Sequence, residues 1–137
     1  MKVVLDTNVI LDAVLEQADF QSAQGLLMAV AYEKISGIVT ANSITDIYYV
    51  ARKMMGDQDA RRAIANILDV FDIALVDGEA CATALNLPMS DYEDAVLAAC
   101  ASREDADYIA TSDKGFLKAE SPVPVKTTAD ILKMIEG

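Results

Sequence analysis

The amino-acid sequence predicts an α/β protein built on a parallel sheet with helices on both faces. Short apolar runs at 2–5, 37–40, 72–76, 107–111 and 123–126 alternate with longer stretches whose apolar residues recur at helical spacing. That alternation is the signature of βαβ units, which place strands in parallel. No internal repeat and no Pro-, Gly- or Ser-rich linker divides the chain. Its 137 residues, 53% of them hydrophobic, suit one packed core, so a single domain over 1–137 is expected.

The first strand, Val3-Val4-Leu5, ends abruptly in Asp6-Thr7-Asn8, and Thr7 or Asn8 is the expected cap of a helix running to about Glu16. A second helix fits 19–32, with Phe20, Ala23, Leu27, Val30 and Ala31 on one face. The strand at 37–40 leads into a long helix carrying Ile44, Ile47, Tyr48, Ala51 and Met55, which Gly56 stops. Asp57 is the expected cap of the next helix, with Ala60, Ile64, Ile67, Leu68 and Phe71. After the strand at 72–76 come a helix at 78–86, a loop at 87–90, and a helix at 91–103 capped by Ser90 or Asp91. The strand at 107–111 is followed by a turn at 112–115. Pro124 assigns the strand at 123–126 to a sheet edge, and Thr128 is the expected cap of the last helix.

Composition excludes several classes. There is no histidine, and Cys81 and Cys100 form no C-x-x-C pair, which argues against a structural zinc site and against Ser-His-Asp or Cys-His catalysis. Both cysteines read as buried small hydrophobes of a reducing cytoplasm. No apolar stretch approaches the ~20 residues needed to span a bilayer, and no signal peptide is visible at the N-terminus. The net charge of −11 is unlike a generic nucleic-acid coat. It is also uneven: residues 1–70 carry 6 basic and 9 acidic side chains, residues 71–137 carry 5 and 13. A polyanion would approach the first half, or arrive with metal ions that reverse the local field.

In open parallel sheets ligands bind beyond the carboxyl ends of the strands. Asp6 follows the first strand directly, and Asp113 follows the fourth within two residues. Asp46 and Asp94 lie near the starts of helices that should point to the same edge, Asp94 through a less regular connection. Carboxylates gathered there repel, and a hard divalent cation removes the conflict. Oxygen-only ligands suit Mg²⁺ or Mn²⁺, whose sites keep waters and take substrate phosphates. Such an ion lowers the pKa of a bound water and stabilises developing charge, so no side-chain nucleophile is required.

These residues resemble the PIN-domain family. Leu5-Asp6-Thr7-Asn8-Val9-Ile10-Leu11-Asp12 looks like its opening, and Asp91-Tyr92-Glu93-Asp94-Ala95-Val96-Leu97-Ala98-Ala99 like its D-x-E-D-A-hydrophobic segment. Tyr108-Ile109-Ala110-Thr111-Ser112-Asp113-Lys114-Gly115-Phe116 is similar to its terminal T-x-D-x-x-F motif. Asn42-Ser43-Ile44-Thr45-Asp46-Ile47-Tyr48-Tyr49 resembles the second acidic helix of a prokaryotic subgroup. Order and spacing fit over the whole chain. The resemblance implies a three-layer α/β/α sandwich with about five parallel strands. It implies Mg²⁺- or Mn²⁺-dependent RNA cleavage, as in VapC-type toxins of toxin–antitoxin pairs, an antitoxin partner and a homodimer. It makes Asp6, Asp94 and Asp113 metal-site acids. Asp46 occupies a fourth position that is often Glu, and Asn8 and Thr111 match polar positions that orient the acids.

Each residue also has a plainer reading. Asp91 can be only a helix cap, Asp46 a solvated helix acid, and Asp12 and Glu93 are expected to face solvent. Arg52, Lys53, Arg61 and Arg62 form either a phosphate clamp or a solvated face with local ion pairs. Tyr48, Tyr49, Met54 and Met55 read first as core and second as a dimer or partner groove. The competing function is a PIN-like module that binds RNA or protein without catalysis. Phosphotransfer folds fit poorly: Asn8 stands where a D-x-D phosphatase needs Asp, a receiver's acid pair is missing, and no Gly-rich phosphate loop occurs.

Overall fold

The computed structural model describes Met1–Gly137. In chain order the elements are β1 (Lys2–Leu5), α1 (Thr7–Leu15), α2 (Phe20–Ala31), β2 (Ser36–Thr40), α3 (Ala41–Met55), α4 (Asp57–Val70), β3 (Asp72–Ala74), α5 (Gly78–Leu85), α6 (Tyr92–Arg103), β4 (Tyr108–Ala110), α7 (Lys114–Leu117), β5 (Val125–Lys126) and α8 (Thr128–Glu136). The five strands form one sheet in the order β3-β2-β1-β4-β5, and every pairing is parallel. The expected α/β/α sandwich is therefore present, with β5 at an edge as Pro124 requires.

The period-2 alternation of each strand divides the core. Val3, Leu5, Val39 and Ala110 face a large cluster with α1, α2, α3, α4 and α8 residues such as Ile10, Leu26, Ile47, Ile67 and Ile131. Val4, Ile38, Ala74 and Ile109 face the other side, where α5, α6 and Phe116 of α7 cover the sheet. On α6 the whole run from Ala95 to Ala101 is buried, because the sheet lies on one side and α5 on another. Small residues allow this double contact. On the opposite layer Gly37 is needed for close approach: a Cβ there would stand 2.7 Å from both the Phe71 ring and Val30.

Several boundaries differ from expectation. The cap of α1 is Asp6 rather than Thr7 or Asn8, because its carboxylate accepts from the Thr7 N–H. Gly56, not Asp57, precedes α4, and Thr127, not Thr128, caps α8. Asp91 rather than Ser90 caps α6. Residues 114–117, read as the end of a turn and its continuation, form the short helix α7, too brief to show periodicity. Cys100 is buried but Cys81 only half-buried. Tyr49, Met54 and Leu68 are exposed rather than core, at 59%, 63% and 51%, because α3 and α4 pack as a pair whose outer face nothing covers. No helix is long and apolar enough to cross a membrane.

Candidate metal centre

The strand order reverses direction between β1 and β4, and the carboxyl ends of these neighbours meet. Asp6 leaves β1 there, with its backbone N–H donating to the Ala110 carbonyl at 2.9 Å. Its side chain accepts from the Thr7 N–H at 2.8 Å and from the Thr111 hydroxyl at 2.9 Å. Thr111, fully buried at the end of β4, also accepts from the Asp113 N–H at 3.0 Å. One hydroxyl thus ties together the two acids that the strands deliver. Asn8 completes the tie, its side-chain oxygen accepting from the Ser112 N–H at 3.3 Å.

The third acid comes from α6. Asp91 caps that helix by accepting from the Asp94 N–H at 3.0 Å, so the cap reading of Asp91 holds. Asp91, Asp94 and Asp113 line one small cleft of about 200 Å³ with Met89, Ser90 and Gly115. Asp94 is half-buried, and no side-chain donor faces its carboxylate. Burial, reinforced by the charges of Asp91, Asp6, Asp113 and Glu93, raises its pKa from 3.8 to about 7. Burial also pushes Asp6 upward, opposed by the Thr111 hydroxyl and the Thr7 N–H and aided by Asp113.

Asp46 is brought to the rim rather than into this group. It stands beside Glu93, whose carboxyl is pushed up first by burial, then by the charges of Asp46, Asp91 and Asp6. Glu93 is exposed, as expected, and its carboxyl sits beside Asp46 at this edge. First-turn side chains of a helix point back toward its N-terminus, and α6 starts at this edge. That signal was available in the sequence. Asp12 is half-buried near Ser112 rather than free in solvent, with its pKa raised by burial.

No three of the acids close around a single point tightly enough to form a ready-made ligand set. Their chemistry nonetheless suits a hard divalent ion: the charged groups of the site are all carboxylates, they share one field, and Asp94 lacks a cationic or hydroxyl partner. The basic residues stand apart. Arg61 pairs with Asp57 at 3.0 Å, and Arg62 with Asp59 at 3.3 Å, both exposed. Arg61 also lies 5.6 Å over the Tyr48 ring, and the Tyr48 hydroxyl bonds Asp57. Arg52 and Lys53, in the last turn of α3, make no ion pair. Also unanticipated is a chain of hydroxyls at the β1–β2 ends. Thr7 donates to Ser43 Oγ at 2.8 Å, and Ser43 Oγ lies 2.9 Å from Thr40 Oγ1.

Comparison with solved structures gives the same fold repeatedly. A chain of VapBC2 from Rickettsia felis, bound to a DNA fragment from their promoter, superposes with a TM-score of 0.71 at 16% identity, over 93% of this chain and 98% of that one. VapC20 of Mycobacterium tuberculosis, described as a Sarcin-Ricin loop cleaving toxin, gives 0.67 at 14% identity, over 83% and 92%. A toxin-antitoxin complex from Klebsiella pneumoniae gives 0.67 at 17% identity, over 92% and 97%. No curated protein sequence matches the chain. The PIN domain family profile matches residues 2–115, the span that carries Asp6, Asp46, Asp94 and Asp113. With its parallel five-stranded sheet and its acids at the β1–β4 crossover, the chain belongs to the PIN domain family.

Proposed function

We propose that this protein is a divalent-metal-dependent ribonuclease and the toxin of a toxin–antitoxin pair acting in the cytoplasm. The observation that carries the reading is the junction of Asp6 and Asp113 through Thr111, with Asp94 in the same cleft as Asp113, unpaired and within the field of both. Asp6, Asp94 and Asp113 would hold Mg²⁺ or Mn²⁺, with Asp46 reaching the site from the rim through water. Bound there, the ion acidifies a water and offsets negative charge on the phosphate being cut. The chain's own part is to orient the acids: Thr111 and the Thr7 N–H fix Asp6, and Gly115 N–H holds Asp113 Oδ1 at 3.1 Å. Arg52 and Lys53 are the free cations of the α3–α4 corner for an RNA backbone, while Arg61 and Arg62 are engaged locally.

An exposed apolar surface supports the reading of a protein partner such as an antitoxin. An apolar groove of about 560 Å³ runs between α1, α2 and α4, lined by Val14, Leu27, Met28, Ile67 and Val70 among others. The exposed Tyr49, Met54 and Leu68 give the α3–α4 face the character of a homodimer contact.

The test is cleavage of a mixed RNA pool with Mg²⁺, Mn²⁺ or EDTA, by the wild type and by Asp6→Asn and Asp94→Asn prepared identically. Metal-dependent cutting absent from both variants supports the reading. Equal cutting by the variants refutes this site. A folded protein that binds RNA without cutting it returns the non-catalytic module, which the absence of a closed three-acid set favours.

A further inference from the structure

The hydroxyl chain Thr7–Ser43–Thr40 stands outside the acid group, and nothing in the reaction uses it. Thr40 is the N-cap of α3, yet its side chain makes no capping bond to the helix. A threonine in that position ordinarily accepts from a first-turn N–H. Here its hydroxyl is turned instead to Ser43 Oγ, 2.9 Å away. Ser43 is only 3% exposed, and the same oxygen accepts from Thr7 Oγ1 at 2.8 Å. Thr40 is 1% exposed, so the Thr40–Ser43 bond is buried and the Thr7–Ser43 bond partly so, in surroundings where a hydrogen bond is stronger than in water. Thr7 in turn directs its backbone N–H to Asp6 Oδ1. A continuous path of hydrogen bonds therefore runs from Asp6 through Thr7 to the first turn of α3. Asp46 lies three residues beyond Ser43, on a neighbouring position of the same helix face.

We infer that Ser43 is a positioning residue: its bridge to Thr7 and Thr40 fixes the first turn of α3, and with it Asp46, against the end of β1. Helix capping is given up to obtain this cross-link between two strand–helix junctions. The link matters because Asp46 has no side-chain partner of its own that anchors it to β1, and stands beside Glu93 at the rim. The consequence for ion binding rests on the nuclease reading; the fixing of α3 does not.

Four proteins test it: wild type, Ser43→Ala, Thr7→Val and Thr7→Ser. Hydrogen exchange of the backbone amides of residues 43–47 is read in the metal-free state, and Mn²⁺ affinity by titration. Thermal midpoints confirm folding. Ser43→Ala and Thr7→Val should exchange about tenfold faster in that turn and bind Mn²⁺ about tenfold more weakly. Thr7→Ser, which keeps the hydroxyl and loses only a methyl, should restore both. Unchanged exchange in folded Ser43→Ala and Thr7→Val overturns the inference, as does a Thr7→Ser variant no better than Thr7→Val. If the wild type binds no Mn²⁺, the nuclease reading falls, and the exchange rates alone decide whether Ser43 fixes α3.

Discussion

Asp6 and Asp94 share one electrostatic field, but the fold treats them in opposite ways. Asp6 arrives on a buried strand and is met by a backbone N–H and a threonine hydroxyl. Asp94 arrives on a helix, is met by no side-chain donor, and is left among four other carboxyls. One wall of the site is satisfied by the protein itself. The other carries its charge at a cost that a proton or a cation relieves. A binding site needs both: a fixed wall for geometry and an unsatisfied wall for affinity.

The contrast is broken most directly by removing each charge in turn. Asp6→Asn and Asp94→Asn should each lower metal-dependent RNA cleavage by more than about a hundredfold, beyond the roughly 10–100-fold usual for groups that only support a ligand. Their effects on folding should diverge. In metal-free urea unfolding at pH 8, Asp94→Asn should gain about 1 kcal/mol by relieving repulsion. Asp6→Asn should lose about 1–3 kcal/mol by disturbing its donors. Equal shifts in the same direction would erase the distinction between the walls.

Thr111→Val attacks the fixed wall alone. It preserves shape, removes the donor to Asp6 and the acceptor for the Asp113 N–H, and should weaken Mn²⁺ binding by roughly 10–100-fold in calorimetry.

The pH dependence reports the unsatisfied wall. Asp94 titrates near 7 when folded, against 3.8 for an ordinary aspartate. Between those values the folded chain keeps a proton that the unfolded chain has released. Stability of the metal-free protein should therefore fall as pH rises through this window and level off above it. Asp6 and Glu93, also raised, add to the same slope. Asp57 and Asp77, held low by the Tyr48 hydroxyl and by the Ala80 N–H with Arg103, are ionised in both states across the window and add nothing. Thermal midpoints at pH 5 to 8 in EDTA check this, and either saturating Mg²⁺ or Asp94→Asn should flatten the profile. Smallest of all, Arg62→Ala, far from both walls in an exposed pair, should change unfolding stability by less than about 0.5 kcal/mol.

The parts of this molecule visible in the sequence are those governed by periodicity. Val3-Val4-Leu5 alternates between two cores, and the Ala95–Ala101 run can only be a helix packed on several sides. Strand-end logic placed Asp6 and Asp113 without reference to any partner. What escaped was set by tertiary contact. Thr40 forgoes its cap because Ser43 and Thr7 are near in space, not in sequence, and Asp12 is half-buried because Ser112 stands beside it. The caps of α1 and α8 each fell one residue earlier than expected, since several adjacent polar residues can serve and only backbone geometry chooses.

The Thr111–Asp6 bond joins residues 105 positions apart in the chain. Chains emerge from the ribosome N-terminus first, at roughly 5–20 residues per second. Asp6 is thus exposed at the start of synthesis, while β4 must insert beside β1 before Asp113 can join it. The centre is therefore among the last features of this protein to exist. A fragment ending before residue 108 lacks it altogether, and translation runs for most of its course before the acids of the two strands can stand together.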